Sequence, residues 1–284
     1  MVIKLTKKDL PYSHWELLDI DLDTRLRIVP ERGGLITEWK SNGREILYFD
    51  SERFSQKGKS VRGGIPILFP ICGSLPGNCL PLANGNFLIK QHGFARDSNW
   101  EMKLIDDQSS FLLRLLDNQL TRSIYPYSFL IDIKVRIEEN ALNFIIMIHN
   151  RSQEKMPYSF GLHPYFQVND LEKTKIEGIA PACINHLNMM KSQTSTQLAD
   201  LTKGVDFICG PSKSVVLVDS LEGRRIHLQH QEPMDLTVVW TDPPRQMVCL
   251  EPWTSPRESL INGERLLLLE AGGVQMLNCR FLID

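Results

Sequence analysis

Two apolar segments on either side of a short polar stretch constrain the fold of this chain more than any other feature. Residues 130–137 (LIDIKVRI) partly alternate between apolar and polar side chains, and residues 142–148 (LNFIIMI) form a second apolar run. The stretch between them, Glu138-Glu139-Asn140, favours a turn. Because a period of two residues is typical of a strand with one buried face, this pattern predicts a β-hairpin over residues 129–149.

Similar short apolar runs recur along the chain, each bounded by Gly, Asn, Asp or Pro. They cover residues 26–29, 35–39, 46–48, 111–115, 215–218 and 236–240. No window carries a 3.6-residue apolar stripe of ordinary helix length, and strands do not alternate with helices. The sequence therefore predicts an all-β protein, a large antiparallel β-sandwich. Because no repeat or linker interrupts it, we expect residues 1–284 to form a single domain.

The composition excludes several classes of partner and cofactor. The net charge is −2, from 32 Lys+Arg against 34 Asp+Glu, so no global field attracts nucleic acid or an anionic membrane, and we expect a small-molecule partner. No stretch reaches the roughly 18 apolar residues of a membrane span, and no long apolar segment follows the N-terminal lysines, so we expect a cytoplasmic protein. The six cysteines show no C-x-x-C pair and no histidine at zinc-ligand spacing, so we expect reduced thiols and no metal.

Four segments combine polar side chains with Gly, Pro and aromatic residues in a way that a plain strand does not need. They are residues 61–70, 91–96, 158–166 and 248–253. In the first, Arg62 offers a planar set of donors suited to sugar hydroxyls or a phosphate, and Gly63-Gly64 permits close backbone approach or a positive φ. In the second, His92 and Arg96 flank a glycine and could reach one ligand from a loop. The alternatives are an Arg62 paired with a surface carboxylate and an ordinary loop histidine at position 92.

The third and fourth segments each place one titratable group in an apolar run. His163 lies among apolar and aromatic residues, and it is either a neutral core histidine or a general acid, with Tyr165 and Phe166 available to stack on a sugar. Glu251 interrupts the run from Met247 to Leu250. Because burying an unpaired carboxylate is costly, Glu251 is either paired or functional, and desolvation would suit it to act as a base.

The four segments, in this order, resemble those of the aldose 1-epimerase (galactose mutarotase) family, particularly its hexose-6-phosphate mutarotase-like branch. The similar motifs are R-G-G-I-P-x-x-F-P, H-G-F-A-R, H-P-Y-F and L-E-P, and the resemblance extends from about Leu26 to the C-terminus. It implies a galactose mutarotase-like supersandwich with a sugar cleft on one face. It also implies an isomerase that interconverts the α and β anomers of a hexose or hexose 6-phosphate, without a cofactor, as a monomer or weak homodimer.

The resemblance also implies a role for individual residues. His163 is similar to the general acid of the family, and Glu251 is similar to its general base. The residues similar to those that hold the sugar are Arg62, His92, Arg96 and, in the short match G-V-D-F, Asp206.

The substrate and two rival functions stay open at this point. The hexose-6-phosphate branch continues with Pro-Gly after its glutamate, whereas this chain has Pro252-Trp253, and Trp253 could stack on an unphosphorylated sugar. Arg62 and Arg96 could instead clamp a phosphate. A glycosidase would need two carboxylates rather than a carboxylate and a histidine. A non-catalytic carbohydrate-binding protein of the same fold would have no reason to keep both His163 and Glu251.

Overall fold

The computed structural model describes residues 3–56, 58–82, 84–105 and 109–284, and strands dominate these ranges. The four α-helices are short: α1 (Ser51–Ser55), α2 (Gln119–Ile124), α3 (Thr194–Leu198) and α4 (Ser259–Asn262). Single 3-10 turns cover Pro76–Asn78, Ala95–Asp97, Leu171–Lys173 and Leu201–Lys203. None of the described helices has the length and apolar character needed to cross a membrane.

The strands follow one another closely along the chain. In the first half they are β1 (Ile3–Lys8), β2 (His14–Asp19), β3 (Thr24–Val29), β4 (Leu35–Ser41), β5 (Arg44–Glu45), β6 (Ile67–Leu68), β7 (Cys79–Leu82), β8 (Gly85–Leu88), β9 (Glu101–Ile105), β10 (Ser110–Leu116), β11 (Phe129–Glu138) and β12 (Ala141–Asn150). In the second half they are β13 (Met156–Tyr158), β14 (Gly161–Leu162), β15 (Tyr165–Gln167), β16 (Thr174–Glu177), β17 (Ala182–Asn185), β18 (Met190–Gln193), β19 (Asp206–Cys209), β20 (Ser214–Asp219), β21 (Arg224–His230), β22 (Leu236–Trp240), β23 (Met247–Trp253), β24 (Leu267–Leu269) and β25 (Val274–Ile283).

Two large antiparallel sheets pack face to face. The back sheet has the order β16-β20-β21-β25-β12-β11-β10-β9. The front sheet has the order β18-β17-β19-β22-β23-β14-β6, and β15 also pairs with β23. The first five strands form a sheet in chain order, and β13-β24 and β7-β8 form two-stranded ribbons. Phe166 of the front sheet meets Phe281 of the back sheet in the core, with ring centroids 5.4 Å apart, so the predicted antiparallel sandwich is confirmed.

Strand β23 shows how the front sheet separates core from cavity. Successive side chains of a strand point to opposite faces. Val248 and Leu250 accordingly belong to the core cluster between the sheets, whereas Glu251 and Trp253 are absent from that cluster and line a cavity on the other face. The free face of the front sheet is therefore where polar groups can meet a ligand.

Most of the predicted strands are confirmed, and one is wrong. The hairpin is β11 and β12, which pair from Phe129 opposite Asn150 to Glu138 opposite Ala141. Residues 46–48, expected to form a strand, contain only an isolated bridge at Leu47. In this segment Ile46 N–H donates to Trp39, at 2.9 Å, and Tyr48 N–H donates to Tyr165, at 2.8 Å. The backbone changes partner within two residues, so no continuous ladder forms.

Candidate active site

Glu251 is almost completely buried, with 1% of its surface exposed. Strand pairing places it opposite Val238, and its Oε2 accepts a hydrogen bond from the Trp253 indole N–H at 3.0 Å. Burial raises the pKa of the Glu251 carboxyl well above its ordinary range, and the negative charge of Asp206 adds to this. The carboxyl is thus poised to bind a proton at a pH where an exposed glutamate would not.

His163 lies between β14 and β15 and faces Glu251. Its Nε2 is 3.4 Å from Glu251 Oε1, and its ring stacks on Tyr165 with centroids 4.8 Å apart. The backbone is fixed because His163 N–H donates to Pro66 at 2.9 Å. Burial, together with the charge of Arg96, lowers the pKa of His163 to about 3. The two side chains therefore form a buried pair that can exchange a proton.

His92 presents a defined tautomer to the same space. Its Nδ1 accepts the backbone N–H of Gly73 at 3.1 Å, so a neutral His92 carries its proton on Nε2 and can donate from there. Burial holds the pKa of His92 well below its ordinary value, and the neighbouring His163 and Arg96 contribute. Its ring lies edge-on to His163 at 5.5 Å and to Trp253 at 5.8 Å. His92 is consequently a neutral hydrogen-bond donor beside the proton pair.

Arg62 and Arg96 lie in the same cavity with weakly compensated charges. Arg62 Nε is 3.6 Å from Asp242, and its guanidinium lies 5.4 Å from the centroid of Trp240. Arg96 Nη2 donates to the Gln91 carbonyl at 2.8 Å, and its contact with Asp97 is 4.0 Å long. The expected alternative, an Arg62 paired with a carboxylate, is thus partly realised, but both side chains keep donors for a ligand.

Gly63 and Gly64 serve the packing of the backbone rather than the approach of a ligand. Both have positive φ, 126° and 72°. A Cβ on Gly63 would lie 2.5 Å from the Tyr48 carbonyl oxygen, and one on Gly64 would lie 2.4 Å from that of Ile36. The two glycines let the backbone pack closely against Tyr48 and Ile36, and this packing places Arg62 at the cavity.

Asp206 has a partner on each carboxylate oxygen. Oδ1 lies 2.7 Å from His186 Nδ1, and Oδ2 accepts from Arg257 Nη2 at 2.7 Å. Burial opposes ionisation, but the hydrogen bond and charge of His186 and the charge of Arg257 outweigh it, so the pKa of Asp206 is lowered. A Cβ at Gly73 would lie 2.3 Å from Arg257 Cγ, so only glycine there leaves room for the arginine.

All the predicted site residues border one cavity of about 190 Å³. They are Arg62, His92, Arg96, His163, Asp206, Glu251 and Trp253. The cavity also touches Gln91, Tyr165, Val238, Trp240 and Arg257. A neighbouring groove of about 550 Å³ shares Arg96, His163 and Tyr165 with it and adds Arg32, Lys59 and Lys90. The free face of the front sheet therefore carries a polar cavity that opens toward a basic groove.

Of the aromatic residues expected to stack on a sugar, Phe166 faces the core instead of the cavity. Phe166 was expected to stack on a sugar, and this is wrong: it is completely buried and packs on Phe281, because it points to the opposite face from its neighbour Tyr165. Trp253 borders the cavity with only 1% of its surface exposed. Its stacking on a sugar stays a prediction.

Sequence reasoning missed Arg257, Trp240 and Gln91 at the cavity and His186 behind it. Trp240 ends the predicted strand 236–240, and an aromatic residue at a strand end could have drawn attention. Gln91 immediately precedes His92 and could have been included with it. Arg257 and His186 stand outside every motif, since they reach Asp206 from loops that are 51 and 20 residues away in sequence.

One group of side chains at the proton pair has the chemistry of metal ligands. One ligand atom each of His163, Cys249 and Glu251 lie within 4.8 Å of one another, a donor set that zinc accepts. Two of the three are the proton pair itself, so an ion there would occupy the position of the exchanged proton. All six cysteines are free thiols, as expected. The absence of a metal from the working protein stays a prediction.

The protein is a β-sandwich whose free sheet face holds a buried histidine and carboxylate beside arginines. The aldose 1-epimerase family model matches residues 21–278, and the chain belongs to this family. The predicted resemblance is thereby confirmed.

The individual relatives agree with this assignment. A protein of Cenchrus ciliaris named "Putative glucose-6-phosphate 1-epimerase" is 28% identical over 228 residues, which are 73% of this chain and 64% of that relative. A crystal structure from Synechocystis sp. PCC 6803 is 33% identical with a TM-score of 0.92, covering 100% of this chain and 99% of the other. A galactose mutarotase-like protein from Clostridium acetobutylicum, 16% identical, has a TM-score of 0.81 and covers 100% and 98%. The last confirms the predicted galactose mutarotase-like fold.

Proposed function

We propose that the protein interconverts the α and β anomers of a hexose 6-phosphate, and more slowly of a free hexose, with His163 and Glu251 as the proton-transferring pair. The observation that carries this proposal is the separation of 3.4 Å between His163 Nε2 and Glu251 Oε1, inside a cavity bordered by arginines and a neutral histidine donor. Membership of the aldose 1-epimerase family supports the reaction type.

The chemistry follows from the structure of a cyclic aldose. The ring is a hemiacetal, so opening it removes the proton of the C1 hydroxyl and delivers one to the ring oxygen. Glu251 takes the first proton, and His163 gives the second. The C1–C2 bond of the open aldehyde then rotates, and closure with reversed roles yields the other anomer. Each group contributes a factor of about 10²–10⁴ to the rate.

The pair must hold one proton in total for this reaction. Burial raises the pKa of Glu251 and lowers the pKa of His163 to about 3, so the proton rests on Glu251. Transfer across 3.4 Å converts this neutral pair into carboxylate and imidazolium. A ligand favours the carboxylate–imidazolium form if its hydroxyls donate to Glu251 and its anionic group lies beside Arg96.

Two observations favour a phosphorylated sugar. The arginines at one side of the cavity lie 3.6 Å and 4.0 Å from their nearest carboxylates, Asp242 for Arg62 and Asp97 for Arg96, whereas Arg257 lies at 2.7 Å from Asp206. Arginine pairs with a phosphate through charge-assisted hydrogen bonds. The Cenchrus ciliaris relative carries glucose 6-phosphate in its name.

The test is the rate at which anomers of free and 6-phosphorylated glucose, galactose and mannose equilibrate, followed by polarimetry or exchange NMR. Wild type accelerates equilibration, and His163→Asn and Glu251→Gln each lose nearly all of it while keeping the circular dichroism of the fold. His149→Asn, a half-buried histidine of the back sheet, is the matched control and keeps wild-type activity. A wild type that binds a sugar without accelerating its equilibration would instead support the carbohydrate-binding alternative.

A further inference from the structure

His186 lies behind the cavity and is held in place at two points. Its side chain is 1% exposed, and it is absent from the residues that border the cavity. The backbone N–H donates to the Asp206 carbonyl at 2.7 Å, and ring Nδ1 lies 2.7 Å from Asp206 Oδ1. Because Arg257 holds the other oxygen of this carboxylate at 2.7 Å, the imidazole is anchored to a fixed partner.

The anchored imidazole supports the indole of Trp253. The two rings stack with centroids 6.0 Å apart and an interplanar angle of 24°. The His92 ring lies edge-on to the indole, with ring centroids 5.8 Å apart. On another side, a Cβ at Gly161 would lie only 2.7 Å from Trp253 Cδ1. With neighbours on its face and edges, the indole has little freedom to rotate.

The orientation of the indole determines the hydrogen bond to Glu251. Trp253 Nε1–H donates to Glu251 Oε2 at 3.0 Å, in a fully buried position. We propose that His186 is a positioning residue for Glu251, which acts by holding the Trp253 indole in the orientation that donates to the carboxylate. This inference rests on the proposed function, because it concerns the readiness of Glu251 to act as a base.

The hydrogen bond favours the ionised form of the base. Burial and the charge of Asp206 raise the pKa of Glu251, and the Trp253 N–H is the hydrogen bond that opposes them. If the indole turns away, the carboxyl holds its proton more firmly, and a smaller fraction of the protein carries a competent base at neutral pH. A hydrogen bond to a charged group is strong enough that its loss lowers kcat/KM by about 10–100-fold.

Two substitutions of His186 separate the stack from the hydrogen bond. His186→Phe keeps an aromatic plane against Trp253 but loses the contact with Asp206. His186→Gln keeps a polar partner for Asp206 but removes the plane. We expect His186→Gln to lose about 10–100-fold in kcat/KM, mostly in kcat, with the acid limb of its pH profile moved to higher pH. His186→Phe, which keeps the plane but loses its anchor, should lose less activity than His186→Gln and should keep the acid limb near its wild-type position, although it is less stable to heat.

The double variant His186→Gln/Trp253→Phe tests the route. If His186 acts through Trp253, the double variant is no slower than Trp253→Phe alone, because non-additivity marks residues that act as a unit. His14→Gln is the matched control: His14 is also buried, its Nδ1–H donates to the Tyr12 carbonyl at 2.7 Å, and it lies on β2 outside the cavity. It should lose stability without any change in pH profile.

The outcomes separate this inference from the proposed function. A wild type that does not accelerate anomerisation refutes the function, and the inference with it. If wild type is active, three results would refute the inference and leave the proposed function standing: His186→Gln keeps the wild-type pH profile, His186→Phe is as slow as His186→Gln, or the losses of the double variant multiply. The expected order, with Phe active and Gln slow, is the reverse of what a purely structural hydrogen bond to Asp206 would produce.

Discussion

Replacing Arg96 with glutamine should change the preference between phosphorylated and free sugars. The Arg96 side chain is 25% exposed and borders both the cavity and the basic groove. It donates one hydrogen bond to the Gln91 carbonyl, and its nearest carboxylate, on Asp97, is 4.0 Å away. The guanidinium therefore keeps donors and most of its charge for an anion, whereas glutamine offers similar reach without charge.

The expected size of the effect follows from the type of interaction. A hydrogen bond between charged groups contributes about 1.5–3 kcal/mol, so kcat/KM for a hexose 6-phosphate should fall by about 10–100-fold. The value for the free hexose should not fall in this way, because no anion contact is lost and removal of the Arg96 charge makes the His163 imidazolium easier to form. The assay measures both sugars with both proteins, and only the ratio of the two losses matters. Arg225→Gln, on the back sheet with Glu177 as its partner, is the control and should leave the ratio unchanged.

An equal loss for the two sugars would refute the reasoning. Such a result would mean that Arg96 contacts the ring or supports the loop rather than binding a phosphate. A rise in ionic strength offers an independent check, since screening weakens an exposed anion contact more than a buried proton transfer. The loss caused by Arg96→Gln on the phosphorylated sugar should therefore shrink at high salt.

Two further predictions concern stability and packing. Burial lowers the pKa of His230 to about 4, below the value of about 6.5 in an unfolded chain. Protonation of His230 therefore costs the folded state nothing above pH 6.5, but it lowers the free energy of unfolding as the pH falls, by about 2 kcal/mol at pH 5. In urea unfolding at pH 7 and pH 5, the loss of stability should be about 2 kcal/mol smaller in His230→Gln than in wild type, because other buried histidines contribute equally to both proteins; an equal loss in both would contradict it. Gly161→Ala should press on the Trp253 indole, lower the free energy of unfolding by about 1–3 kcal/mol and slow anomerisation. Gly210→Ala, whose Cβ would meet nothing within 4 Å, should do neither in the same melting and rate measurements.

The parts of the fold that depend on local pattern could be predicted from the sequence. The hairpin of β11 and β12 is encoded by its own alternation and by Asn140 in its turn, where φ is 54°. The segment 46–48 has the same apolar character but exchanges partners between Trp39 and Tyr165. No local signal reports such a change, because strand identity depends on what pairs with the segment.

The site shows the same division between local and long-range information. His163 and Glu251 stood out because each is a titratable group in an apolar run. Period-two alternation around His163 could also have excluded Phe166 from the cavity, since Tyr165 and Phe166 cannot share a face. Arg257 and His186 could not have been found this way, because what makes them functional candidates is their contact with Asp206 across the sheet.

Burial of the proton pair explains why arginines near it matter for more than binding. The charge of Arg96 lowers the pKa of His163, together with burial. A phosphate on Arg96 would offset that charge and make the imidazolium easier to form, just when the sugar hydroxyls reach Glu251. On this reasoning the phosphate contributes to kcat as well as to KM. Arg96→Gln should therefore respond to added inorganic phosphate differently from wild type. With free hexose as substrate, phosphate at low concentration should raise the rate of wild type. The variant should not respond, because it no longer has the Arg96 charge near His163. A wild type that phosphate only inhibits, at every concentration, would show that the anion competes with the sugar and does not assist proton transfer.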